Sequence, residues 1–291
     1  MIILNEKEYA EECLTKYELN TKPFHTLSIL AKYYYHYKGY RKKKITALLT
    51  EYIERCFPEY RNNKLMWEDT IEKLAKNAKK YKLHEIDGVS ITSDEMDVIN
   101  ALNDEVLKRL AFTLLCLAKL GNLRNPNNNG WVNNDTKEIF DLARVSCTSE
   151  NRYIDLGILG NLGLLEFPKR LDNLSVRITF IKPESKEVLF VKDFRELGYE
   201  YLNYKGGNFT RCERCGRLFR NNKRKDKKYC TKCAGYQPVV LKKIQCADCG
   251  KTFEVDARVS NKIRCDECQL IRDKEKKKEI NKRYYEKTKQ N

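Results

Sequence analysis

Four Cys-x-x-Cys pairs occupy the last third of this 291-residue chain: Cys212/Cys215, Cys230/Cys233, Cys246/Cys249 and Cys265/Cys268. Fourteen residues separate the first pair from the second, and fifteen the third from the fourth. A two-residue spacer lets one tight turn aim two sulfurs at a single point. Two such turns bring four thiolates together in the closed tetrahedron that Zn²⁺ prefers. Each leading pair is followed by a glycine, Gly216 or Gly250, where the turn needs a positive φ. An aromatic, Phe219 or Phe253, stands four residues after the second cysteine of that pair and can cover a very small core. Cys212, Cys215 and Phe219 recur 34 residues later as Cys246, Cys249 and Phe253, so the two units form an internal repeat.

Disulfides would require an oxidising compartment, and nothing in the chain points to export. A redox motif needs one pair beside a βαβ unit, not four pairs in a row. The expectation is therefore two structural zinc ions, each closed by four thiolates with no open position for chemistry. They would supply folding energy to modules of about thirty residues that are too small to fold alone. Sequential pairing within each unit is the default; an interleaved arrangement of the four pairs is the alternative. Cys13, Cys56, Cys116 and Cys147 are scattered, and Cys116 lies in an apolar helical tract as a core residue. Residues 212–268 resemble tandem zinc ribbons, a module of transcription, replication and translation proteins.

Charge is distributed as unevenly as cysteine. The chain carries 57 Lys and Arg against 41 Asp and Glu, a net +16, and residues 205–291 hold 26 of the former and 11 of the latter, a net +15. A nearly neutral body thus bears a strongly basic tail, which points to a polyanionic partner, above all nucleic acid. The loop of the first repeat concentrates the charge in Arg217, Arg220, Lys223, Arg224, Lys225, Lys227 and Lys228, with Asp226 alone opposing them. Cations fixed on a stapled hairpin can meet several phosphates together and release their counterions. Asn221 and Asn222 add hydrogen-bonding groups for phosphate or base edges. The second repeat is milder. Beyond it, residues 269–291 lack glycine and proline and read as a basic helix, with Tyr284 and Tyr285 able to stack on bases or pack on the ribbon.

The body reads as helical over 24–120. Thr92-x-x-Glu95 and Asp135-x-x-Glu138 are capping boxes, and the run Tyr33–Tyr37 suits helix packing. The next stretch predicts a long apolar helix over 104–120, capped by Asn103 and stopped by Gly121. Short helices follow over 136–143 and 150–160, the latter capped by Thr148 or Ser149. A strand at Leu164–Phe167, a turn at Leu171–Asn173 and an alternating return strand at Val176–Phe180 complete the series. This is the order of a winged helix-turn-helix, whose 150–160 helix would enter a major groove. That helix offers one cation, Arg152, against Glu150 and Asp155; the wing, with Lys169, Arg170 and Arg177, is better suited to phosphate. The same module could instead dock protein or form a dimer.

The fold expected is mainly α and multidomain. It comprises an N-terminal helical domain (1–100), a winged-helix-like α+β domain (101–192), a linker (193–207), zinc ribbons at 208–238 and 242–268, and a basic C-terminal helix (269–291). The N-terminus shows no secretory pattern, and the most apolar tract, Leu110–Ala118, is far short of a membrane span, so a cytoplasmic protein with no membrane partner is expected. The segments Leu110–Lys119, Trp131-Val132-Asn133, Glu138-Ile139-Phe140 and Phe194–Tyr201 resemble uncharacterised proteins of phages and mobile elements of low-GC Gram-positive bacteria. That likeness implies a phage or mobile-element setting and brings no activity with it. No phosphate-binding Gly-rich loop is present, and His25, His36 and His84 form no catalytic motif. The leading expectation is a non-enzymatic binder of double-stranded DNA, acting as a regulator or as a replication or recombination factor, with homodimerisation open and RNA an alternative target. An adaptor docking on a host machine such as RNA polymerase or a helicase is the second reading, and a metal-dependent nuclease the third.

Overall fold

The computed structural model describes residues 2–17, 19, 22–57, 64–168, 175–221, 227–235, 241–256 and 262–288. The chain divides into two units, Met1–Cys230 and Thr231–Asn291. Eleven α-helices and nine short strands are present among the described residues, so the chain is mainly helical. No helix there is long and apolar enough to cross a membrane.

The first unit contains two apolar cores. The N-terminal one is built by α1 (Glu6–Lys16), α2 (Pro23–His36), α3 (Lys42–Cys56) and α4 (Lys64–Asn77) around Leu27, Leu30, Ile45, Leu49, Ile53 and Ile71. Local chemistry starts these helices. The Asn5 side chain accepts the Glu8 N–H and places two carboxylates in the first turn of α1, while Pro23 opens α2. Glu6 on α1 is buried and accepts two bonds from Lys32 on α2, at 2.5 and 2.6 Å, so neither charge is left dry and unpaired. The tyrosine run does pack: Tyr33 and Tyr34 are buried, and their rings stack on Tyr37 and Tyr40.

The second core takes in β1 (Val89–Thr92), α5 (Ser93–Asn100), α6 (Glu105–Arg124), β2 (Trp131–Val132), α7 (Thr136–Leu142), α8 (Ser149–Asn161), β3 (Leu165–Glu166), β4 (Val176–Ile178), β5 (Glu187–Val191) and α9 (Leu197–Tyr204). The division of cores therefore does not fall at residue 100, because β1 pairs antiparallel with β5 (Val89 opposite Val191) and carries α5 with it. The Thr92/Glu95 capping box forms, and the buried Glu95 carboxylate also receives Lys119 at 2.7 and 2.8 Å. Helix α6 is the hub. Asp104, not Asn103, caps it, accepting from the Val106 and Leu107 N–H groups. It also runs past Gly121, because that glycine serves close approach rather than termination: a Cβ there would lie 2.6 Å from the Asn128 amide.

The short helices and strands expected after α6 form with slightly shifted ends, Thr148 capping α8. A strand not foreseen, β2, joins them in an antiparallel sheet of order β2-β4-β3, in which Arg177 faces Trp131 on one side and Glu166 on the other. The expected turn at 171–173 lies outside the described residues. Residues 193–207 are no linker. Phe194, Leu197 and Tyr201 are buried in the second core, Tyr201 against Phe112 of α6, so α9 is held by the apolar face that an 8-residue helix needs to be stable in water.

Past α9 the chain forms two antiparallel hairpins. The first, β6 (Phe209–Arg211) with β7 (Leu218–Arg220), closes the first unit. The second unit begins with the short helix α10 (Thr231–Ala234) and contains β8 (Leu241–Gln245), β9 (Thr252–Asp256) and α11 (Asp266–Thr288).

Candidate metal centres

The knuckle of each repeat is built identically from backbone. After β6, the Cys212 N–H bonds the Arg217 carbonyl at 3.0 Å and the Gly216 N–H bonds the Cys212 carbonyl at 2.8 Å. After β8, Cys246 bonds Lys251 at 3.0 Å and Gly250 bonds Cys246 at 2.9 Å. The two glycines adopt φ of 68° and 69°, the left-handed conformation the tight turn demands. The second pair of each repeat straddles a helix start: Cys230 precedes α10, which holds Cys233, and Cys265 precedes α11, which holds Cys268. The Cys265 N–H already points at the Cys246 Sγ, 3.4 Å away.

These turns gather the sulfurs in fours. Cys212, Cys215, Cys230 and Cys233 have all their Sγ atoms within 4.8 Å of one another, and so do Cys246, Cys249, Cys265 and Cys268. The pairing is the sequential one. Sγ–Sγ separations of 3.8 Å, for Cys215–Cys230 and Cys249–Cys265, match the edge of a tetrahedron with metal–sulfur bonds of about 2.3 Å. Each group can therefore hold one metal ion, and an all-sulfur tetrahedral donor set is the kind zinc takes.

The thiols within a cluster are not alike: one in each repeat is held low, while in the second repeat hydrogen bonding with Cys265 and Cys249 pushes Cys268 up, and Cys249 is raised as well. Burial pushes the Cys212 thiol up, but N–H donors of Cys230, Cys215 and Arg214 outweigh it and hold the group at about 6. Donors from Cys265 and Cys249 likewise bring Cys246 to about 6. In contrast, burial in the α6 core drives Cys116 well above the usual thiol range, which leaves it an inert core residue.

The cations predicted to meet phosphate divide into three sets. Arg217 is committed to the body: its guanidinium lies 3.2 Å from the Glu196 carboxylate, which Arg144 also grips through two hydrogen bonds. Arg211 does the same with the buried Glu200, at 2.9 and 3.0 Å. Arg177 of the wing bonds Glu166 at 2.8 Å and the Asn129 carbonyl at 3.0 Å, so cross-strand pairing accounts for it. Arg220, Lys227 and Lys228 remain exposed; Lys227 lies over the Phe219 ring and Lys228 is 3.6 Å from Glu213. Lys223, Arg224, Lys225, Lys169 and Arg170 lie outside the described residues, as does Asn222. Asn221 turns inward, donating to the Thr210 hydroxyl at 3.1 Å, and is 5% exposed.

Sequence reasoning missed the residues that dock the first hairpin: Arg144, Glu196, Glu200 and Arg211. Glu196 finds Arg144 across 52 positions, a separation with no periodic or motif signature. Arg144 itself adopts φ 56° just past the end of α7, a left-handed conformation that an arginine does not announce in the sequence. A cleft of about 590 Å³ at this junction is lined by both signs, Lys137, Arg144 and Arg217 against Asp135, Glu138 and Glu196, and so presents no concentrated positive field. No protein-family model, curated protein or solved structure matches the chain.

Proposed function

We propose that this is a zinc-stabilised nucleic-acid-binding protein, a binder rather than an enzyme, which grips duplex DNA through its first cysteine repeat. The observation that carries the reading is one juxtaposition. Four sulfurs converge at the turn of the β6–β7 hairpin, in a stretch, 205–230, that holds ten of the chain's Lys and Arg against two acidic residues. The two ions would be structural zinc, held by Cys212, Cys215, Cys230 and Cys233 and by Cys246, Cys249, Cys265 and Cys268. The metal supplies rigidity. The chain's own residues do the binding: Arg220, Lys223, Arg224, Lys225, Lys227 and Lys228 meet phosphates, while Arg217 fixes the hairpin to the body.

The α6–α7–α8 helices with the β2-β4-β3 sheet fit a winged-helix module, and a DNA-binding regulator or replication or recombination factor of a phage or mobile element is the setting that fits the whole. The phage element of this reading rests on the sequence resemblance alone, and the cytoplasm is the compartment in which thiolate sites of this kind persist.

The test is equilibrium binding of the zinc-loaded chain to DNA duplex, single strand and RNA across a salt series. Replacing Lys223, Arg224, Lys225, Lys227 and Lys228 with Ala should flatten the slope of log affinity against log salt by about 4.5, since each phosphate contact contributes about 0.9. A slope indifferent to all five substitutions would remove the first repeat from the interface. Equal affinity for duplex and RNA would broaden the target from DNA to phosphate-backbone polymers.

A further inference from the structure

The two knuckles are alike in backbone and unlike in what covers them. At Gly250 an added Cβ would meet nothing within 4 Å, and Cys249 beside it is exposed. At Gly216 the body reaches in: an added Cβ would lie 3.6 Å from Nη2 of Arg195. The approach continues one residue on, where Glu196 takes the Arg217 guanidinium at 3.2 Å. Consecutive residues of the body thus meet consecutive residues of the first knuckle. In the second repeat the residue equivalent to Arg217 is Lys251, which pairs inside its own repeat with Glu267.

Arg195 is held in this place from both sides of the chain. Phe194 before it is buried in the second core. The Asp193 carboxylate accepts its backbone N–H at 2.9 Å, its Nε at 2.8 and 3.0 Å and its Nη2 at 2.7 Å. That grip occupies Nε and one side of Nη2. The Nη1 donors make no hydrogen bond among the described residues. The Cys215 thiolate is near enough for its charge to act on the guanidinium.

We infer that Arg195 is a positioning residue of the first metal centre, lending charge-assisted N–H donors to the Cys215 sulfur so that this centre holds its ion more tightly than the second. The inference rests on the reading of the cysteine groups as zinc sites, and not on nucleic-acid binding. Four thiolates around one Zn²⁺ make a net anion, with like charges crowded at one point. A guanidinium beside such a centre is attracted to it as a whole. An N–H donated to a metal-bound sulfur also relieves the repulsion between thiolates. Asp193 offsets part of the positive charge, but it fixes the planar group, so little freedom is lost when the contact forms. Partners of this kind change metal affinity by about 10–100-fold. The second knuckle has no such neighbour at Gly250.

The test is competition between the zinc-loaded full chain and a chromophoric chelator, which reads the affinity of each ion. Cys265→Ser and Cys212→Ser, each keeping one centre, assign the constants. In the wild type the tighter ion should be the one held by Cys212, Cys215, Cys230 and Cys233. Arg195→Gln should weaken that ion by about tenfold and leave the other unchanged. Asp193→Asn/Arg195→Gln, which strands no carboxylate, should do the same. Cobalt(II) gives a readout that docking of the hairpin alone would not move. In the cobalt-loaded Cys265→Ser chain, Arg195→Gln should shift the sulfur-to-metal charge-transfer band to longer wavelength, because a sulfur without its N–H donor gives up electron density more readily. A wild-type chain that binds no metal overturns the zinc reading and this inference with it. A chain that binds both ions equally well, or whose first-centre affinity or cobalt band is indifferent to Arg195→Gln, overturns the inference alone.

Discussion

Glu196 is the pin between the first metal hairpin and the body, and the order in which its partners are removed tests that role. Its side chain is 2% exposed, whereas those of Arg144 and Arg217 are 39% and 28% exposed. The asymmetry sets the energetics. Glu196→Ala leaves two guanidinium groups that can turn toward water, so the loss approaches that of a partly exposed pair, about 1 kcal/mol or less. The double variant Arg144→Ala/Arg217→Ala leaves a carboxylate buried with no cation, and a stranded buried charge costs about 3–5 kcal/mol. The left-handed backbone at residue 144 does not confuse the comparison, because alanine and arginine meet similar resistance there. Urea unfolding of the zinc-loaded variants, followed by the tryptophans at 67 and 131, measures both losses. Equal losses, or a larger one for Glu196→Ala, would show that the carboxylate reaches solvent and that the hairpin is held by something else.

Three further outcomes are expected. Cys265→Ser should lower the metal content from two zinc ions per chain to one, by elemental analysis, and unfold the β8–β9 hairpin, whose small core leaves the closure to the metal. Zinc affinity should fall as pH drops and fall more steeply below about 6, where Cys212 and Cys246 take up protons that the metal must displace; a competition titration with a chromophoric chelator from pH 5 to 8 reads the change of slope. Lys119→Met should destabilise the chain by about 3 kcal/mol, because Glu95 is fully buried and would retain only the N–H groups of Thr92 and Lys182; a thermal melt no lower than wild type would mean that the two N–H donors satisfy Glu95 without Lys119.

What the sequence made legible is what short-range chemistry determines. The metal-binding cysteines could be named because each knuckle is five residues long and needs only Cys, Cys and Gly in register. Caps at Thr92 and Thr148 were equally local. The errors have long-range causes. The 193–207 segment looks polar enough for a linker, yet every third or fourth position, Phe194, Leu197 and Tyr201, meets an apolar groove on α6 nearly a hundred residues earlier. Arg217 and Arg177 counted as free cations because the carboxylates that hold them come from other elements. Gly121 looked like a stop because its neighbour across space, Asn128, belongs to the following turn.

The same limitation explains why two repeats alike in their cysteines differ in what surrounds them. The position 34 residues on from Arg214 is Asp248, which bonds Arg264 at 2.7 Å and lies 3.7 Å from Arg272. Lys262 pairs with Asp266, and Lys251 with Glu267, all within the same repeat. The second repeat thus closes its ion pairs on itself. The first sends Arg211 and Arg217 to Glu200 and Glu196 of the body and pairs Lys228 with its own Glu213 at 3.6 Å. One metal clasp is therefore used in two ways. A self-neutralised repeat has little charge left to give to a polyanion, while a repeat fixed to the body by two arginines can present Arg220, Lys227 and Lys228 from a rigid base. The expected consequence is that Asp248→Ala, which frees Arg264 and Arg272, strengthens nucleic-acid binding at low salt and steepens its salt dependence. An unchanged salt slope would place the second repeat wholly outside the interface.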